Sequence, residues 1–366
     1  MRMGSVSRLV NLSVAFPRMV IAAGADVPHA QVFHGPPLSS DVMADLDRLL
    51  EVIAGRNAKT VGLQFPVGLR TKAVELAEEI EAKAGVTCLV SADPSFGACD
   101  VAEMPVDLIV HLGHAPMPHL RYDRVFFHDL GSPPLKDLGF VDAALPLLPR
   151  RVGLLTTYQF REWLPAIKKH LESKGHEVLI GPPDKRVAYA GQLLGCDYHT
   201  ATVIEKDVDG YLYVGTGDFH PLGVAILVPD KPVIIADPER GEARDLKEVR
   251  DRILRQRHAA IARSRDAETF GIIVSKKIGQ DRSGLAGDLK RLAEKHGRRA
   301  MIFLMDLVSP ELLMGYRVDA WVNTACPRIA IEDILQYKQP VLTPQEFEVV
   351  LGERDWKDYV FDEIRA

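Results

Sequence analysis

Four cysteines, Cys88, Cys99, Cys196 and Cys326, are the residues of this chain best suited to do chemistry. No two of them form a CxxC pair, so the closely spaced thiolates of a zinc ribbon or a ferredoxin-type cluster are missing. A secreted disulfide framework would need a shorter and cysteine-denser chain. Two readings remain. Each cysteine is a small buried hydrophobe, the usual role of an unpaired cytosolic cysteine, or several of them meet from distant segments to hold a metal. Choosing between these needs the elements that carry each thiol.

Those elements repeat about every hundred residues, far beyond a solenoid period, which points to duplicated domains. Each unit opens on an apolar strand of similar wording: Val61-Gly62-Leu63, Val152-Gly153-Leu154 and Phe270-Gly271-Ile272. Apolar residues at helical spacing follow: Val74, Leu76, Ala77 and Ile80; Leu164, Ile167 and Leu171; Leu285, Leu289 and Leu292. Each helix stops at a glycine, namely Gly85, Gly175 and Gly297. A second strand lies around Leu89, Val178–Ile180 and Met301–Leu304. Val-Asp announces a third, at Val106-Asp107, Val208-Asp209 and Val318-Asp319, and Val125–Phe127, Val233–Ile235 and Val341-Leu342 close the units. Near-continuous apolar strands alternating with helices predict parallel sheets covered on both faces. The fold class is therefore α/β, with three similar parallel-sheet domains over 39–148, 149–265 and 266–366. The basic segment Arg240–Arg265 reads as a helical link. Residues 1–38 read as a loose N-terminal extension, because Pro17 and Arg18 interrupt the apolar core a signal peptide needs. Ser39-Ser40-Asp41 then caps a helix running to about Ile53.

In open parallel sheets, ligands gather at the carboxyl ends of the strands. Cys99 and Cys196 follow second strands and Cys326 follows a third strand, so one thiol per domain reaches that rim. Cys88 sits inside the strand pattern Val86–Val90 and reads as a core residue. Glycine or alanine precedes each rim cysteine, which lets backbone approach something bulky. Three thiolates with no fourth ligand leave one coordination position open. On zinc that is a catalytic water site; on a 4Fe–4S cluster it is one iron free for a substrate or cofactor.

The totals exclude other classes. A chain of 366 residues exceeds one ordinary core, and 47% hydrophobic with 26% charged residues is ordinary for a globular protein. A net charge of -5 gives no basic footprint for direct nucleic-acid binding. No apolar run reaches the roughly 18 residues of a membrane span. The expected setting is the cytoplasm.

The wording of the rim loops is distinctive. QFPVGLR (Gln64–Arg70), FGACD (Phe96–Asp100), HLGH (His111–His114), GQLLGCDY (Gly191–Tyr198), GTGDFHPLG (Gly215–Gly223), TACPR (Thr324–Arg328) and VLTPQE (Val341–Glu346) together resemble one family. That family is the archaeal diphthamide-biosynthesis enzymes, which make 2-(3-amino-3-carboxypropyl)histidine on translation elongation factor 2. The resemblance runs from about residue 42 to the C-terminus; Val67 departs from it, standing where an acidic residue is expected. It implies a pseudo-threefold arrangement in which Cys99, Cys196 and Cys326 meet centrally and hold a 4Fe–4S cluster. It also implies S-adenosylmethionine on the open iron, an aminocarboxypropyl radical, methylthioadenosine as by-product, an electron donor, and a homodimer.

Within that frame, Arg328, two residues from Cys326, offers a forked guanidinium for the methionine carboxylate. Gln280 is a candidate for the amino-acid end, and Asp306 for the ammonium or an ordered water. A solvated salt bridge for Arg328 and ordinary loop roles for the other two are the plainer alternatives. His111, His114 and His220 lie in glycine-rich rim loops, where they could position an imidazole or move its proton; a hydrogen-bonded loop histidine is the alternative for each. Quinolinate synthase, which shares three related domains and a three-cysteine cluster, is the rival enzyme. A three-domain binding protein with buried structural cysteines is the non-enzymatic reading.

Overall fold

The computed structural model describes residues 45–365; the expected extension and the Ser39–Asp41 cap lie outside them. The helix they were to open runs over Leu46–Gly55 and buries Leu46, Leu49 and Ile53.

Three sheets follow in chain order. The first holds β1 (Thr60–Gln64), β2 (Thr87–Val90), β3 (Leu108–Leu112) and β4 (Val125–His128) in the order β2-β1-β3-β4, all parallel. The second holds β5 (Arg151–Thr156), β6 (Glu177–Leu179), β7 (Gly210–Val214), β8 (Val233–Asp237) and β9 (Glu242–Asp245) in the order β6-β5-β7-β8-β9. The third repeats the first with β10 (Thr269–Ser275), β11 (Arg299–Met305), β12 (Ala320–Asn323) and β13 (Val341–Leu342), ordered β11-β10-β12-β13 and parallel throughout. In one respect the expectation fails. The segment after Arg240 is not helical from its start: β9 pairs antiparallel with β8, Ile235 opposite Arg244, before the helix Lys247–Ser264 begins. Asp237 makes this turn, accepting from the N–H groups of Glu239 and Arg240.

The repeated wording has a physical cause. A Cβ on Gly153 would stand 2.6 Å from the Tyr211 ring, and one on Gly271 would stand 2.3 Å from the Trp321 ring. Those rings occupy the paired positions of the neighbouring strands. A Cβ on Gly62 would likewise stand 2.7 Å from Met104 Sδ. Glycine in the first strand thus makes room for a large side chain alongside. The Val-Asp signal is a strand lock. Asp107 accepts from the N–H groups of Lys59 and Thr60 at 2.8 and 2.9 Å, and Asp319 from those of Glu268 and Thr269 at 3.0 and 2.8 Å. Asp209 serves the same place through Arg151. Backbone donors at the start of the first strand are satisfied in this way.

The second and third sheets carry core on both faces. Tyr198, Tyr211, Tyr213 and Phe361 pack on one side of the second sheet, with Val152, Leu154, Trp163 and Leu212 on the other. Phe270, Ile272 and Phe347 face one side of the third sheet, and Ile273, Trp321 and Val341 the other. Cys88 is half-buried on the edge strand β2 against the first core, and its thiol is pushed up to about 11 by burial and then by Glu81. The VLTPQE motif is a strut. Thr343 and Glu346 form a capping box on the helix Pro344–Leu351, and Glu346 also takes the fully buried Arg257 guanidinium.

Candidate metal centre

Cys99 sits in the loop after β2. The neighbouring Asp100 carboxylate accepts from the Phe96 N–H at 3.1 Å and from Lys277 Nζ at 2.6 Å. Lys277 also reaches Asp306 Oδ1 at 3.7 Å, on a side chain that is 68% exposed. Gly279 packs on Cys99 so closely that a Cβ there would meet Cys99 Cβ at 2.4 Å, and its N–H donates to Cys99 O at 3.1 Å. The next residue, Gln280, is buried and donates Nε2–H to Cys99 Sγ at 3.2 Å. The loop after β10 is therefore clamped onto the loop after β2.

Cys196 follows a turn in which a Cβ on Gly195 would meet the Phe219 ring at 2.0 Å. Phe219 opens the helix Phe219–Leu227, and the Arg328 guanidinium lies 5.8 Å from its ring centre. Arg328 also pairs with Glu332 one turn along. Asn323 fixes the Cys326 loop by donating to Cys326 O at 2.8 Å and accepting from the Ala325 N–H at 3.1 Å. Arg282 holds the same loop through Thr324 O at 2.7 Å and Ala325 O at 3.0 Å. The C-terminal tail ties the loops of the second and third cysteines together. Ile364 donates its N–H to Cys196 O at 2.9 Å, while Asp362 receives both ends of Arg282 at 2.8 and 2.7 Å.

All three rim thiols are held above their ordinary range. Burial is the main cause for each, and it takes Cys196 up to about 12. The thiols also feel one another: Cys99 raises Cys196, and both raise Cys326. Arg186 opposes this at Cys99 and Cys196, and the Arg328 backbone N–H and charge oppose it at Cys326. Among the described residues no three ligands converge at the spacing of a single metal ion. A cluster of several irons spreads its thiolates more widely, and three mutually coupled sulfurs with amide and guanidinium donors on two of them suit such a group.

A second network stands behind Cys99. Gln64 donates Nε2–H to Asp100 O at 2.8 Å, so its Oε1 accepts, from the Ala102 N–H at 3.0 Å and from His111 Nδ1 at 2.8 Å. His111 then carries its proton on Nδ1, and its Nε2 accepts from His114 Nδ1 at 2.8 Å. His114 is left with a lone pair on Nε2. Burial takes His114 down to about 4, and burial with the nearby Arg328 charge does the same to His220. Both are neutral near pH 7.

Sequence reasoning did not single out Arg186, Lys277, Gly279, Gln64 or Arg282. Gln64 lay inside the QFPVGLR motif and Gly279 directly precedes the candidate Gln280, whereas Arg186, Lys277 and Arg282 stood outside every motif.

The diphthamide synthesis protein family model matches residues 65–360. The chain belongs to the diphthamide synthesis family. A Pyrococcus horikoshii protein named 2-(3-amino-3-carboxypropyl)histidine synthase is 36% identical over 337 residues, 89% of this chain and 92% of that one. Subunit 1 of the synthase of that name from Schizosaccharomyces pombe is 30% identical, over 83% of this chain and 72% of its own. The crystal structure of Dph2 from P. horikoshii with a 4Fe–4S cluster superposes with a TM-score of 0.78 at 36% identity, covering 87% of this chain and 93% of that one. Membership of the diphthamide synthesis family agrees with the three-sheet α/β architecture found here.

Proposed function

We propose that this chain transfers the 3-amino-3-carboxypropyl group of S-adenosylmethionine to C2 of a histidine of translation elongation factor 2, releasing 5'-methylthioadenosine, with Cys99, Cys196 and Cys326 holding a 4Fe–4S cluster. The observation that carries the reading is one half-buried thiol from each of three like sheets, with Cys99 near enough to shift the ionisation of Cys196 and both near enough to shift that of Cys326, in a chain 36% identical to a synthase of that name. Bound there and reduced, the cluster supplies the electron that opens the sulfur–carbon bond of S-adenosylmethionine to give the aminocarboxypropyl radical.

The chain's own residues bind and orient. Arg328 offers its guanidinium to the methionine carboxylate beside Cys326, in competition with Glu332. Gln280, fixed through Nε2 on Cys99 Sγ, presents its carbonyl to the amino-acid end. Asp306, held by Lys277, offers a carboxylate for the ammonium or an ordered water. His114 Nε2, neutral and backed by His111 and Gln64, accepts the proton that leaves imidazole C2, and the electron released with that proton would return to the oxidised cluster.

The expected homodimer finds a surface on β11. This edge strand of the third sheet exposes Met301 and Leu304 at 58% and 62%, and an open apolar edge invites pairing with a second copy. The setting is the cytoplasm, with a separate electron donor; no described helix is long and apolar enough to cross a membrane.

The test is anaerobic reconstitution with iron and sulfide, reduction, and addition of S-adenosylmethionine and unmodified elongation factor 2. Methylthioadenosine release with a matching mass gain on one histidine peptide is expected. Absence of both, with turnover of iminoaspartate and dihydroxyacetone phosphate, overturns the proposal in favour of a quinolinate synthase activity.

A further inference from the structure

Arg186 is only 2% exposed, yet it has few partners. Its Nη2 donates to Cys196 Sγ at 3.5 Å and to Gly279 O at 3.4 Å. Gly279 in turn donates to Cys99 O, so one guanidinium stands where the loops of all three units converge. Its Nε is buried and finds no hydrogen-bond partner among the described residues. The carboxylate beside it, Asp197 Oδ2, lies at 3.6 Å, an ion pair without a hydrogen bond. A buried cation so loosely answered is costly unless further negative charge arrives.

Chemistry identifies that charge. A cubane core with two positive charges on three thiolates is a monoanion, and one added electron makes it a dianion. A fixed cation beside a ligand sulfur favours the dianion, and hydrogen bonds and charge at the sulfurs are levers on cluster potential. We propose that Arg186 is a tuning residue: its N–H···S contact and charge at Cys196 stabilise the reduced cluster, so a milder donor can charge the site. This rests on the three-cysteine reading above. Arg186 acts through Cys196, as a positioning and electrostatic group rather than a catalytic one.

The experiment is an anaerobic redox titration of reconstituted full-length protein, followed by electron paramagnetic resonance, on wild type, Arg186→Gln and Arg186→Lys, with iron content and thermal midpoint measured alongside. At a fixed potential the Arg186→Gln cluster should show a reduced-to-oxidised ratio about tenfold lower, which for one electron is about 59 mV. Arg186→Lys keeps the charge and should recover most of that ratio. A wild-type ratio in Arg186→Gln with full iron overturns the proposal, as does a lysine ratio no better than that of glutamine. Should glutamine empty the site, lysine decides: iron retained with a near-wild-type ratio supports tuning, and iron lost there too makes Arg186 a strut only. Wild type that binds no iron and sulfide refutes the cluster reading itself, a separate failure.

Discussion

Asp362→Ala tests whether the C-terminal tail holds two cysteine loops in place. Arg282 is anchored by both oxygens of Asp362 and passes that anchorage to Thr324 O and Ala325 O, just before Cys326. The tail meanwhile bonds Cys196 O through Ile364 and the Tyr198 N–H through Glu363. Asp362 is 1% exposed and the Arg282 side chain 10%, so solvent screens the pair little. Removing one partner of a buried pair strands the other charge, at about 3–5 kcal/mol. Arg282 keeps two carbonyl acceptors in the Cys326 loop, Thr324 O and Ala325 O, which argues for the lower end, about 3 kcal/mol. If the tail releases locally, that is roughly a hundredfold more open state at about 1.4 kcal/mol per decade. Iron loss to a chelator should accelerate by a similar factor, with a lower thermal midpoint. Asp362→Asn keeps an acceptor and should fall between. A lowered midpoint with unchanged chelator kinetics refutes the coupling of tail to cysteine loops; no change in either refutes the energetics.

Cys99→Ala, Cys196→Ala and Cys326→Ala should each abolish iron and sulfide binding while Cys88→Ala leaves it intact, by metal analysis; Arg328→Ala should keep the iron and weaken S-adenosylmethionine binding, by calorimetry. Gly271→Ala forces a Cβ onto Trp321 and should cost about 1–3 kcal/mol in denaturant unfolding. Stability should fall as pH drops from about 6.5 towards about 4. The folded state keeps His114 and His220 neutral down to about 4, while the unfolded chain takes up protons from about 6.5. That loss should be blunted in His114→Gln and His220→Gln, and an unchanged pH profile of the thermal midpoint in both would rule out these two histidines as its source.

Much of the scaffold was legible because period and punctuation are local. The first-strand glycines, the helix-stopping glycines and the Val-Asp pairs each answer a need met within one unit: room for a large neighbouring side chain, a left-handed cap, donors at a strand start. β9 escaped because Glu242–Asp245, three charged residues around Ala243, make an edge strand whose pairing comes from β8 rather than from their own pattern.

The cysteines divide in the same way. Order along the chain was enough to separate Cys88, inside a strand, from three thiols at strand ends. Only the folded chain decided what surrounds those thiols. Gln280 turns its amide to Cys99, Arg186 reaches Cys196 from ten residues upstream, and the tail near Asp362 joins the second and third loops. Contacts between units carry no periodicity, since each depends on how separate sheets are set against one another. A lone arginine outside every motif gives the sequence nothing to read until packing buries its charge beside sulfur.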